Sequence, residues 1–277
     1  MTTSVEAQTT SLANLNRDFW ESVVRKHPGI NQLIHPRSAN ADVFYDREWL
    51  KTFAEQLHRF LGTQAPNLGL RPRDPADPVR LLDYACAYGG ASWALAPFVD
   101  QILGIDIAPA IVARFNTCAA RKGFDHSQAH AITGDLIADP SLAERASFDV
   151  VIISLALHHL DDPPAMLNRL AVCLKPGGVL IAVEAEDCDA QTGERVAPNP
   201  LGSHRDKHGA PEPEVLKTTN HQVFNEEIFR AWFEDAGCDM GKFLYIVNGE
   251  ISHIPEEASN KPGGLYRKMV IASAVKK

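Results

Sequence analysis

Leu81-Leu82-Asp83-Tyr84-Ala85-Cys86-Ala87-Tyr88-Gly89-Gly90 decides how this chain is read. An apolar run ends in small residues, and a helix-prone segment begins two residues later. The pattern predicts a strand over 79–85 and a helix over 92–98. In a doubly wound sheet the turn between such a pair builds the ligand crevice. Small residues there let the chain bend sharply and bring backbone N–H groups close to a ligand. A nicotinamide-type GxGxxG needs glycine at the first, third and sixth positions of the turn. Here Ala85 and Ala87 hold two of the small positions, and there is no glycine run to cradle a phosphate. By itself the turn selects no particular ligand.

Outward from that stretch the texture alternates. Strands are predicted over 101–106, 128–133, 148–155 and 179–185, with helices over 109–122 and 164–174. Val150, Val151, Ile152 and Ile153 are consecutive, which marks a strand buried on both faces. Lys175-Pro176-Gly177-Gly178 is a helix stop. Such βα alternation implies a parallel sheet with right-handed crossovers and helices on both sides. Past residue 185 the pattern breaks into a polar insertion, 186–222, with Pro198, Pro200, Pro211 and Pro213. A helix over 225–236 follows, then strands over 242–248 and 266–275, expected to pair antiparallel as an edge hairpin with a long loop. Before the core lie predicted helices over 15–26 and 47–61 and a proline-rich linker over 62–78. The division expected is an N-terminal helical extension, lid and linker over 1–78, and a main domain over 79–277 carrying the insertion.

The 277 residues carry a formal charge of −8, and no basic run offers a footprint for nucleic acid. The five cysteines are scattered and without CxxC spacing. An odd count and a polar first twenty residues point to free thiols in a reducing compartment, so a cytoplasmic location is expected. No apolar stretch reaches the roughly 18 residues of a membrane span. His204, His208, His221 and His253 lack HxxxH or HExxH spacing, and no metal is expected.

Three further stretches give the turn its company. Gly104-Ile105-Asp106-Ile107 ends the second strand with an acid, where a carboxylate can grip the two hydroxyls of a ribose. Gly134-Asp135-Leu136 follows the third strand. Ser154-Leu155-Ala156-Leu157-His158-His159 ends the fourth, beside the first. In this order DxAxxxG, GIDI, GDL, FDVVIISLALHHL and LKPGGVLI resemble the class I S-adenosylmethionine-dependent methyltransferases, in their UbiE-like small-molecule branch. The resemblance covers about residues 79–185.

It implies a Rossmann-like α/β fold with a doubly wound seven-stranded sheet, order 3-2-1-4-5-7-6, strand 7 antiparallel, and an N-terminal helical lid. It implies S-adenosyl-L-methionine as cofactor and a small-molecule methyl acceptor, with O, N, S and C acceptors all open. Asp83, Ala85, Cys86, Ala87 and Gly89 then surround the methionine part. Asp106 holds the ribose, Ile107 packs on adenine, and Asp135 with Leu136 lines the adenine edge. Ser154 lies over the crevice, and Tyr45, in Phe44-Tyr45-Asp46, resembles a residue of the lid. The family usually has glycine where Ala87 stands and a small residue where Tyr88 stands.

Each residue also has a plainer reading. Asp106 and Asp135 can be turn acids, His158 and His159 packing or capping residues, and Tyr45 a core residue. Methyl transfer needs a base only for a hydroxyl or a protonated amine, and His158 or His159 can serve. Acceptor recognition is expected from the N-terminal helices and the 186–222 insertion. Ala87-Tyr88 leaves open a protein that binds the sulfonium without methylating. A nicotinamide oxidoreductase is disfavoured by the missing GxGxxG.

Overall fold

Strands buried on both faces dictate the architecture. The computed structural model describes residues 11–26, 48–196, 217–220, 223–259 and 261–277. Its main sheet contains β1 (Arg80–Tyr84), β2 (Gln101–Asp106), β3 (Ala129–Thr133), β4 (Phe148–Ser154), β5 (Leu174–Ala185), β6 (Cys238–Val247) and β9 (Met269–Lys276). Their order is β3-β2-β1-β4-β5-β9-β6, and only β9 runs antiparallel to its neighbours. Two short strands, β7 (Ser252–Ile254) and β8 (Leu265–Arg267), pair with each other in a separate small sheet. Counted within the large sheet alone, β9 is the seventh strand and the order is the expected 3-2-1-4-5-7-6.

The apolar run of β4 explains itself by alternation. Val151 and Ile153 join one core with Leu82, Leu180 and Ala182, while Val150 and Ile152 join the other with Leu81, Ile181 and Val183. Helices α5 (Pro163–Cys173) and α6 (Glu226–Asp235) cover the first face through Leu167, Leu170, Phe229 and Phe233. Helices α2 (Glu48–Gln64), α3 (Gly90–Leu95) and α4 (Pro109–Arg121) cover the second through Leu57, Leu61, Leu95 and Phe115. Local chemistry sets the helix starts. Asp162 accepts from Ala165 N at 2.9 Å to cap α5, and Asn225 accepts from Ile228 N at 3.0 Å to cap α6.

Helix α1 (Leu12–Lys26) belongs to neither core. It lies across the carboxyl ends of the strands and is tied down on both sides of the sheet's centre. Helix α4 has no side-chain cap of its own, and Ala110 N in its first turn donates to Glu21 Oε1 of α1 at 2.8 Å. On the other side Asn16 Nδ2 donates to His159 O and Thr218 O, each at 3.0 Å, and Leu12 N donates to Asp161 Oδ1.

The structure departs from expectation in four places. The helix expected over 92–98 is α3 followed by a 3-10 turn, Ala96–Phe98, because Pro97 cannot continue the α-helical ladder. The segment 62–78 is not all linker: α2 runs to Gln64, and Ala65, Leu68 and Leu70 are buried with Leu61. Strand β6 starts at Cys238 rather than 242, directly after Gly237 (φ +74), with a register break between Asp239 and Leu244. Its pairing with β9 is antiparallel as expected, but β7, β8 and a single helical turn, α7 (Glu256–Ser259), fill the connection. The strand expected over 179–185 extends back to Leu174, which pairs with Phe148 across a turn at Gly177 (φ +84).

Candidate active site

Strand order reverses between β1 and β4, and the crevice outside their carboxyl ends is the site this topology provides. The chain leaves β1 through a tight turn in which Ala85 (φ 56), Ala87 (φ 47) and Gly89 (φ 84) are all left-handed. That region disfavours alanine by roughly 1–2 kcal/mol, so surrounding contacts must hold it. They are visible: Cys86 N donates to Ile105 O at 3.2 Å, Ala87 N to Asp106 Oδ2 at 3.1 Å, and Gly89 N to Cys86 O at 2.7 Å. Glycine is required at 89, where a Cβ would stand 2.4 Å from the Trp93 indole. Gly104 plays a different part, since a Cβ there would meet Cys86 Sγ at 2.7 Å.

Asp106 ends β2 with its carboxylate between two backbone donors, Ala87 N and Ala108 N, each at 3.1 Å. Burial raises its pKa to about 6, while the N–H bonds from Ala108, Ala87 and Ile107 pull it back. Each carboxylate oxygen has a second lone pair, so both can still accept from hydroxyls. Ile107 beside it is half-buried and belongs to neither core cluster, leaving an apolar surface at the strand end. Asp83 is only 1% exposed. Its Oδ2 accepts from Ser92 N (3.1 Å) and Ser92 Oγ (2.6 Å), bracing α3 against β1, and burial lifts its pKa to about 7. Asp135 accepts from Tyr84 Oη (3.2 Å) and Ile137 N (2.9 Å). Cys86 and Leu136 turn their side chains into the cores, so their backbones alone can face a ligand. Ser154 Oγ is buried at the end of β4 with no hydrogen-bond partner among the described residues, an orphaned polar atom of the kind a bound group satisfies. Tyr45 lies outside the described residues.

The two histidines of the fourth strand's loop separate. Leu155 (φ 55) turns the chain out of β4, and Leu157–His159 forms one 3-10 turn. His158 Nδ1 lies 2.9 Å from Glu184 Oε2, and Leu157 N donates to Glu184 Oε1 at 2.8 Å. The Glu184 side chain is 1% exposed against 29% for His158. His159 Nδ1 instead donates to Thr218 O at 2.8 Å. Desolvation, with His158 next to it (ring centroids 4.2 Å apart), lowers the His159 pKa to about 3, so that ring stays neutral. Glu184 was not singled out from the sequence. Its signal was there: one carboxylate inside the otherwise apolar run of β5, where nothing but a specific partner makes burial tolerable.

Two further residues escape sequence reading. Arg267 on β8 donates from Nη2 to Ala185 O at 3.0 Å, and Asn220 N donates to His158 O at 2.7 Å. The β6–β9 connection therefore stands at the carboxyl edge of β5, beside the crevice. Among the described residues no group of three or more His, Cys, Asp or Glu is placed to hold a metal. His204, His208 and His221 lie outside those residues.

Fold and crevice together define a Rossmann-like α/β protein whose second strand ends in an acid facing the switch point. Residues 45–241 match the methyltransferase domain family, and the chain belongs to it, with the fold of the class I S-adenosylmethionine-dependent enzymes. An uncharacterised methyltransferase of Schizosaccharomyces pombe is 32% identical over 107 residues, 38% of either chain. A ubiquinone biosynthesis O-methyltransferase of Xanthomonas axonopodis pv. citri is 29% identical over 162 residues, 54% of this chain and 64% of that one. The chain thus spans less than two thirds of the length of these curated relatives. The fold is shared with the magnesium protoporphyrin IX methyltransferase of Synechocystis, solved with bound S-adenosylhomocysteine (17% identity, TM-score 0.58, covering 96% of this chain and all of that one). Among the described residues no helix is long and apolar enough to cross a membrane.

Proposed function

We propose that this protein transfers a methyl group from S-adenosyl-L-methionine to a small-molecule acceptor. The observation that carries the reading is Asp106. It is a buried acid at the carboxyl end of β2, held by Ala87 N–H, with spare acceptor capacity and the apolar Ile107 beside it. That pairing suits a ribose diol next to a purine. In this reading the backbone of Ala85, Cys86, Ala87 and Gly89 bounds the methionine end, and Asp83 braces the turn. Asp135 with the Leu136 backbone borders the adenine edge, Ser154 Oγ faces the bound group, and Tyr45 is the proposed cofactor contact from the N-terminal extension. When bound, the cofactor supplies an electrophilic methyl carbon on a sulfonium. The protein's own work is orientation and, for a hydroxyl acceptor, proton removal. His158 is the proposed base, and His159 the neutral strut that fixes the same turn to Thr218.

The proposed division is a helical extension over 1–78 and a methyltransferase domain over 79–277, whose 186–222 insertion contributes to the acceptor pocket. Its middle, 197–216, lies outside the described residues. Five thiols, none in a disulfide, fit a reducing compartment, and the cytoplasm is the proposed location.

Titration calorimetry with S-adenosylhomocysteine tests the reading. Asp106→Ala is expected to weaken binding by about 1.5–3 kcal/mol, the worth of hydrogen bonds to a charged group. Unchanged affinity would refute the ribose assignment. A second reading, binding of the sulfonium without methyl transfer, is favoured by Ala87-Tyr88, where the Tyr88 ring lies under the Arg114 guanidinium, 4.6 Å from its centroid. Mass-spectrometric detection of a methylated product separates the two.

A further inference from the structure

We propose that Glu184 is the positioning residue that holds His158 with its lone pair on Nε2, where it can take a proton from a hydroxyl acceptor. The proposal rests on the methyltransferase reading above and deepens it.

The geometry runs through one carboxylate. Glu184 Oε1 accepts from Leu157 N at 2.8 Å, which fixes the carboxylate to the turn that carries His158. Oε2 then faces His158 Nδ1 at 2.9 Å. An ionised carboxylate only accepts, so Nδ1 carries the proton and Nε2 carries the lone pair. The ring is part-exposed, and the carboxylate on its Nδ1 side is buried. His159 stacks beside His158 on the same turn and is held neutral. Arg267, from β8, sets its guanidinium charge against Glu184 and Asp187. The segment packed on the other side contributes Asn220 N to His158 O and the Thr218 carbonyl to His159.

The proton leaves the acceptor oxygen for Nε2 as the oxygen–methyl bond forms and the carbon–sulfur bond breaks. The electron pair stays on sulfur, giving the methyl ether and S-adenosylhomocysteine. A carboxylate behind the imidazole stabilises the imidazolium formed in that step, as a buried acid does behind other histidine bases.

The test reads tautomer and turnover together. In ¹H–¹⁵N spectra of the imidazoles, with His158 assigned by its loss in His158→Asn, the wild-type ring is expected to carry its proton on Nδ1. In Glu184→Gln the amide oxygen keeps the Leu157 N–H and the amide NH₂ faces Nδ1. The proton is then expected to move to Nε2. Glu184→Asp, which keeps the charge, is expected to retain the native tautomer, and serves as the readout if the glutamine variant does not fold. With catechol as acceptor, Glu184→Gln is expected to lose about a hundred-fold or more in kcat at unchanged KM. An identical tautomer in wild type and Glu184→Gln would overturn the positioning role, and so would a loss confined to melting temperature. Failure of the wild type to bind S-adenosylhomocysteine is a separate result and would overturn the underlying reading.

Discussion

Asp83 and Asp106 stand at neighbouring strand ends with their pKa values raised to about 7 and about 6, burial being the first cause of both. Each is raised from an ordinary value of 3.8, so the folded protein binds protons that the unfolded chain releases. The stabilisation this brings is fully present below about pH 4 and is lost as pH rises through the folded-state values. Asp83→Asn removes the larger of the two shifts. Melting temperature followed between pH 4 and 7 is therefore expected to fall less steeply with rising pH in the variant than in the wild type. Parallel curves would show that Asp83 titrates normally in the folded protein. The position of Asp106 at a strand end was readable from Gly104-Ile105-Asp106-Ile107, because strand period and strand end are local properties. Its partners Ala87 N and Ala108 N were not, since the left-handed backbone at Ala87 is a rare choice for alanine that only the surrounding contacts impose.

Helix α1 is the element whose placement matters most. Its sequence shows a helix and nothing of where that helix docks. Asn16 is 6% exposed and donates to Leu12 O, His159 O and Thr218 O, joining the helix to the histidine turn and to the segment at 217–220. Removing these bonds leaves buried carbonyls short of a donor, at a cost of about 1–3 kcal/mol. Because α1 lies outside both cores, that loss is expected to appear as local opening rather than global unfolding. In Asn16→Ala, hydrogen exchange of the α1 amides should speed up markedly while β4 and β5 keep their protection. Uniform acceleration across the sheet would mean that α1 is part of the cooperative core. The small β7–β8 sheet makes the same point for sequence reading. Its two three-residue strands are too short for a periodic signal, and it is recognisable only through its pairing.

At the scale of the whole molecule, α1 connects the two halves of the crevice. Glu21 reaches the start of α4 after β2, and Asn16 and Leu12 reach the loop after β4. A ligand seated between β1 and β4 is therefore expected to tighten both anchorages at once. Saturating S-adenosylhomocysteine at a hundred times its Kd stabilises the folded state by about 2.7 kcal/mol. At about 2–4 °C per kcal/mol for a domain near this size, a rise of roughly 5–11 °C in melting temperature is the corresponding shift. Protection should rise in α1 and at 217–220 as well as in the β1 turn. A thermal shift with no added protection in α1 would leave ligand binding intact and remove the lid from it.

A parallel sheet with helices on both faces and a crevice at the end of its first strand was determined by the sequence alone, while the strand order followed from the family resemblance that its motifs carry. Alternating strand and helix signals leave few right-handed ways to connect a parallel sheet, and each buried apolar run states that both faces are covered. The acids at the ends of β2 and β3 and the His158-His159 pair were legible for the same reason: they fall where strands end. Only the tertiary structure decided what each histidine touches. Glu184 is 26 residues from His158, Thr218 59 residues from His159, and Asn16 143 residues from His159. No local pattern encodes such pairings, because they exist only once β4 and β5 lie side by side and α1 has closed across their ends.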